Sequence, residues 1–180
     1  MHITKPVILQ YLEEVAELLK HETSVEIVLL GGAAGMLTGL FEPARTTTDC
    51  DVINYIPADS QQAVLEAARK IAQKYDLPLN WLNSKAMELD ILPDGWQSRK
   101  VHIATFGQLS IWSLSRKDLL ATKFYAGHPR DREDIQAMRP TRDELDFVKI
   151  YLNMLRVPSR NANLDQIQRG LLYINAMGVD

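Results

Sequence analysis

Asp49 and Asp51 are the residues whose types and spacing point most directly to chemistry. They flank Cys50 at the head of CDVINYI (50–56), a run with the β-branched and aromatic content of a strand. Residues i and i+2 of a strand face the same way, so both carboxylates project together from backbone positions about 7 Å apart. Two acids held that close repel unless a cation lies between them. A hard divalent ion, Mg²⁺ or Mn²⁺, takes oxygen ligands, and Mg²⁺ usually keeps one or two carboxylates together with substrate phosphates. Upstream, VEIVLL (25–30) reads as a strand that runs straight into Gly31-Gly32 and then into the helix-compatible AAGMLTGL (33–40). Glycines let a backbone approach phosphate closely, and a helix N-terminus offers free N–H groups and a positive dipole end. One element would hold phosphate and the other its metal, as metal-assisted phosphoryl transfer requires. Each part alone is ordinary: a Gly-Gly turn is common after a strand, and Asp-x-Asp often marks a solvated strand end. Their order along the chain is the specific signal.

A second group lies in ATKFYAGHPRDREDIQAM (121–138). Asp131 and Asp134 are i, i+3 neighbours and can share a helix face with Lys123 nearby in sequence. The plain alternative is helix-start chemistry, with Pro129 at the first turn and Asp131, Glu133 and Asp134 near the positive dipole end. Lys123 is equally readable as a lysine that buries its stem and solvates its head.

The surrounding elements follow from periodicity. Apolar residues at helical spacing predict an amphipathic helix over 5–22. Asp59 and Gln62 have capping-box spacing for a helix reaching about Asp76. Residues 77–98 look irregular, broken by Pro78, Pro93, Asp94 and Gly95. KVHIATF (100–106) and LSIWSL (109–114) alternate as a hairpin turning at Gly107-Gln108. Ser115 with Asp118 and Thr141 with Glu144 open further helices, and the last covers about 164–177. The expected fold is therefore α+β (α/β): a small mixed sheet flanked by helices over residues 1–114, then a helical region over 115–180 packed on it, with a cleft between.

Composition is that of an ordinary globular chain. It has 180 residues, 46% hydrophobic and 24% charged, and a formal net charge of -3, so no bulk basic character announces nucleic acid. The N-terminus lacks the long apolar run of a signal peptide, and no stretch approaches the roughly 18 apolar residues of a spanning helix. Cys50 is the single cysteine, which excludes an intramolecular disulfide. A cytoplasmic protein with no membrane partner is expected.

LLGGAAGMLTGLFEPARTTTDCDVI (29–53) resembles the signature of the DNA polymerase β-like nucleotidyltransferase superfamily: a Gly-Gly turn opening a helix, then Asp-x-Asp on the next strand. Arg45-Thr46-Thr47-Thr48-Asp49 is similar to the approach to that pair in bacterial AbiEii-type toxin nucleotidyltransferases. Lys123-Phe124-Tyr125-Ala126 followed by Arg130-Asp131-Arg132-Glu133-Asp134-Ile135 resembles a second motif of the same proteins. The likeness spans most of residues 25–139, and residues 140–180 carry no such resemblance. The sixteen residues between Gly32 and Asp49 exceed the spacing usual in those relatives, the extra length falling around Leu40 to Ala44.

The resemblance implies a nucleotidyltransferase core. In it Asp49 and Asp51 would hold Mg²⁺ or Mn²⁺ and act in catalysis. Gly31, Gly32, Arg45, Thr47, Lys123 and Arg130 would bind an NTP through its phosphates, Asp131 would be a base or orienting acid, and Asp134 would support it. The reaction would move NMP from the NTP to a tRNA, protein or small-molecule hydroxyl, within a toxin–antitoxin pair and alongside a cognate antitoxin. Such enzymes usually carry a third carboxylate on a later strand. KVHIATF and LSIWSL hold no acid, only His102, Ser110 and Ser113, while Glu88, Asp90 and Asp94 lie in the irregular segment. Either Asp131 substitutes, or one metal suffices, or transfer chemistry has been lost and the protein is a non-catalytic nucleotide-, RNA- or protein-binding member of the fold. His102 on an apolar strand reads as a core histidine. Trp81, Trp96 and Trp112 could stack a base, but aromatic residues more often pack a core or hairpin, and they are left unassigned.

Overall fold

Short β-rich runs and amphipathic helices alternate in the first part of the chain, and tertiary pairing sorts them into one sheet. The computed structural model describes residues 2–19, 24–160 and 162–178. It contains two compact units, Met1–Glu88 with Lys100–Leu114, and Leu89–Arg99 with Ser115–Asp180. Among the described residues no helix is long and apolar enough to cross a membrane.

The first unit is built on strands β1 (Val25–Leu30), β2 (Cys50–Ile56), β3 (Leu82–Asn83), β4 (Val101–Phe106) and β5 (Leu109–Ser113). Among the described residues these form one five-stranded sheet in the order β3-β2-β1-β5-β4. β1 runs antiparallel to β2 and parallel to β5, β2 runs parallel to β3, and β4 and β5 form the expected hairpin. Helix α1 (Lys5–Leu18) buries Ile8, Tyr11, Leu12 and Val15, and α3 (Gln61–Tyr75) buries Val64, Ala67, Ala68, Ile71 and Ala72. The two meet where the Tyr11 and Tyr75 rings lie 4.8 Å apart and Lys74 pairs with Glu14 at 2.8 Å. Residues 20–22, expected to continue α1, lie outside the described residues.

Three local expectations change. Helix α3 has Ser60, not Asp59, as its N-cap, and a short 3₁₀ turn at Ala58–Ser60 leads into it. The segment expected to be irregular contributes β3 and a 3₁₀ turn at Lys85–Glu88 to this unit and a one-turn helix, α4 (Trp96–Arg99), to the other. His102 is exposed on the edge strand β4, where its ring bonds Thr105 Oγ1 at 2.8 Å and meets Trp112 edge-on. An edge strand with one solvated face has no core for it to enter.

The second unit is helical: α5 (Arg116–Ala126), α6 (Pro129–Met138), α7 (Arg142–Met154) and α8 (Leu164–Ala176), with α4. Ser115 caps α5 by accepting from the Asp118 N–H, and Thr141 and Glu144 form a reciprocal capping box on α7. Every residue of α5 from Asp118 to Tyr125 is buried, as befits a helix surrounded by others. Residues 89–99 belong to this unit because later residues hold them. The Tyr151 hydroxyl donates to the Ile91 carbonyl at 2.6 Å, Arg160 to the Leu92 carbonyl at 3.1 Å, and Arg99 binds both oxygens of buried Asp118.

Candidate active site

Strand register brings the glycine turn and the acid pair to one end of the sheet. β1 ends at Leu30, whose partner across the antiparallel pair is Asp51, and Gly31 follows at once. Asp51 pairs in turn with Asn83 of β3. Cross-strand partners share a face of the sheet, so the Asp51 and Asn83 side chains emerge side by side, next to the turn.

The turn itself requires glycine. Gly31 has φ +72°, in the left-handed region, and a Cβ there would lie 3.1 Å from Asp51 Oδ2. A Cβ on Gly32 would lie 2.9 Å from Thr47 Oγ1 and 3.4 Å from an Arg45 guanidinium nitrogen. The backbone of the turn is thus in close approach to three of the side chains singled out from sequence. Helix α2 (Gly31–Leu37) continues from it and is only seven residues long.

The long connection between turn and acids is ordered by packing. Phe41 folds back against Gly35, where an added Cβ would fall 2.0 Å from the ring. The Arg45 guanidinium sits over the same ring, 5.7 Å from its centroid, and also donates to the Thr46 carbonyl. Thr47 is fixed by a two-bond bridge to Ile3, and its hydroxyl donates to the Asp49 carbonyl at 3.2 Å. The extra residues around Leu40 to Ala44 therefore wrap over α2 and return Arg45 and Thr47 to Gly32.

Asp49 lies just before β2 and Asp51 within it, both half-buried. Thr48 Oγ1 makes a long bond of 3.4 Å to Asp49 Oδ1, and the Asn83 amide donates to Asp51 Oδ1 at 3.0 Å. Cys50 between them is fully buried; burial, then the charges of Asp51 and Asp49, push its thiol far above its ordinary value. Among the described residues no group of three or more His, Cys, Asp or Glu is placed to hold a metal. Two carboxylates beside a glycine turn fit a hard divalent cation that keeps phosphate or water oxygens as its other ligands. They do not fit a closed structural site of soft ligands.

Asn83 is the site residue that sequence reasoning missed. The strand beside β2 is β3, not β4 or β5, so the position flanking Asp51 is filled by an amide. A two-residue strand between prolines gives no periodic signal. Asn83 also lines a groove of about 720 Å³ whose walls include Arg69, Ser84 and Lys85. Of the other acids considered, Glu88 is exposed in the 3₁₀ turn, Asp90 is exposed, and Asp94 pairs with Arg160 in the helical unit.

The helical unit brings together Lys123, Asp131 and Asp134. The Lys123 ammonium is 2.9 Å from Asp131 Oδ1 and 2.7 Å from Asp134 Oδ2. The lysine and Asp134 side chains are each 4% exposed and Asp131 16%. The other oxygen of Asp131 accepts from the His128 N–H at 3.1 Å, which caps α6. Arg130 is exposed beside them. Asp131 thus performs the helix-start task while also pairing with Lys123.

A glycine turn set against an acid-bearing strand is the arrangement that the nucleotidyltransferase resemblance implies, and a family comparison bears out that class. The family described as "Nucleotidyltransferase of unknown function (DUF6036)" matches residues 7–156, and the chain belongs to that family. No curated protein and no solved structure matches it significantly.

Proposed function

We propose that this protein is a metal-dependent nucleotidyltransferase that moves NMP from an NTP to a hydroxyl of an RNA acceptor, tRNA foremost, releasing pyrophosphate. The observation that carries this reading is the close approach of Gly31 and Gly32 to Asp51, Thr47 and Arg45. A phosphate chain at the turn would meet backbone N–H groups, the Thr47 hydroxyl and the Arg45 guanidinium, next to the two acids. Asp49 and Asp51 would hold Mg²⁺ or Mn²⁺, which when bound neutralises charge on the transferring phosphoryl group. Arg130 would add cationic character in the helical unit. Asp131, bonded to buried Lys123 and to the His128 N–H that caps α6, is with Asp134 an orienting group of the helical unit; so firmly held an ammonium is better suited to orient an acid than to reach a phosphate. Arg69 and Lys85 on the groove beside Asn83 support an acceptor that carries phosphates.

The likeness of the Arg45–Asp49 and Lys123–Ile135 segments to AbiEii-type proteins supports a place in a toxin–antitoxin pair with a cognate antitoxin. A second reading, a non-catalytic nucleotide- or RNA-binding member of the fold, is favoured by the amide at position 83. The deciding measurement is Mg²⁺-dependent incorporation of label from each of the four NTPs into total RNA and total protein. Wild type should label RNA, and the double variant Asp49→Ala/Asp51→Ala should lose at least about a hundredfold, as when a group stabilising transition-state charge is removed. Label in protein alone would reassign the acceptor. Equal, background label from both enzymes with all four NTPs would leave the binding-only reading.

A further inference from the structure

Asn83 is buried, 7% exposed, and bonded on both sides of its amide. Its Nδ2–H donates to Asp51 Oδ1 at 3.0 Å, and its Oδ1 accepts from the Lys85 backbone N–H at 3.1 Å. The second bond decides the first. With the oxygen taken by a backbone donor, flipping the amide would set N–H against N–H and oxygen against carboxylate. A donor therefore faces Asp51. Asn83 is also the register partner of Asp51, so β3 pairing delivers it there by backbone geometry.

We propose that Asn83 is a positioning residue: it clamps one oxygen of Asp51 and so fixes the direction in which the other, Oδ2, presents itself beside the Gly31 turn. This rests on reading Asp49 and Asp51 as a metal-holding pair. The chemistry of an amide suits the task. It supplies a directional donor without adding a third negative charge beside the pair. An aspartate here would add a third negative charge in the absence of metal and a third oxygen ligand in its presence. Removal of a partner that orients a metal ligand typically weakens metal affinity about 10–100-fold.

The experiment uses the full chain and Mn²⁺ alone as probe. Affinity is read from the free-ion EPR signal, and thermal unfolding is followed with and without Mn²⁺, for wild type, Asn83→Ala, Asn83→Asp and Asp51→Ala. Asn83→Ala should bind Mn²⁺ about tenfold more weakly. Asn83→Asp should melt lower than wild type without metal, bind Mn²⁺ about tenfold more tightly, and gain more in melting temperature from the ion. A residue that merely packs would lower melting in both variants and leave Mn²⁺ affinity alone, so affinities within about twofold of wild type in both overturn the proposal. If Asn83→Ala does not fold, the sign of the Asn83→Asp change decides, and weaker binding there overturns it. Wild type binding no better than Asp51→Ala would instead sink the metal-pair reading, and this proposal with it.

Discussion

The two acid groups of this chain are held in opposite ways. At the sheet end, Asp49 and Asp51 are half-buried and take bonds from a hydroxyl and an amide. In the helical unit, Asp131 and Asp134 close on a buried ammonium. The first pair lies at a strand end beside a glycine turn, and the second is built around an ammonium inside a helical unit. Sequence alone ranks both as acid pairs at short spacing. Burial and position separate them: Asp49 and Asp51 are half-buried beside the glycine turn while Asp134 is enclosed, which is why the strand-end pair is the better candidate for an added cation and the helical trio the better candidate for an architectural clamp.

The comparison breaks most visibly at Lys123. Lys123→Met removes the buried ammonium that Asp131 and Asp134 share and should cost about 3–5 kcal/mol in chemical denaturation, whereas adding Asp134→Leu should recover most of it. Asp49→Asn at the sheet end should shift stability by no more than about 1 kcal/mol. Equal losses at Lys123 and Asp49 would erase the distinction. A smaller effect is expected where the connection is packed beneath the candidate phosphate turn. Gly35→Ala drives a methyl into the Phe41 ring and should cost about 1–3 kcal/mol, with nucleotide affinity falling as Arg45 loses its seat. Melting and NTP binding measured on the same variant would separate the two.

The smallest effect tests the helical unit alone. Burial raises the Glu144 carboxyl, but Arg116 and the Thr141 cap outweigh it and leave it below its ordinary value. A depressed carboxyl stabilises the fold above the usual carboxylate range, and that stability is lost as pH falls through the depressed value. Glu144→Gln should therefore be less stable than wild type by about 0.5–1 kcal/mol near neutral pH, and the gap should close in acid. A constant gap across denaturation curves at several pH values would show that the Arg116 pair contributes nothing.

Long periodic elements were legible. β1, β2, the β4–β5 hairpin and the two caps at Ser115 and Thr141 follow from alternation and from side chains that bond locally. What was not legible depends on partners distant in sequence. β3 exists because Cys50 and Asp51 pair with Leu82 and Asn83, and no two-residue run advertises that. Sheet order is likewise a tertiary fact: the strands that alternation marks as later, β4 and β5, lie beyond β1 from the acids, and β3 lies beside them. Residues 89–99 join the helices through Tyr151, Arg160 and Asp118, side chains with no local signature there. Ser60 took the cap of α3 from Asp59 because a 3₁₀ turn precedes the helix.

Cys50 gives the molecule a built-in clock. It is the chain's one thiol, it lies on the strand that carries the acids, and it is sealed from solvent and held protonated. An alkylating reagent can reach it only when β2 lets go of its neighbours, so the rate of labelling counts how often that strand opens. The same enclosure makes the acid-bearing strand indifferent to oxidants, since thiolate and access are both withheld.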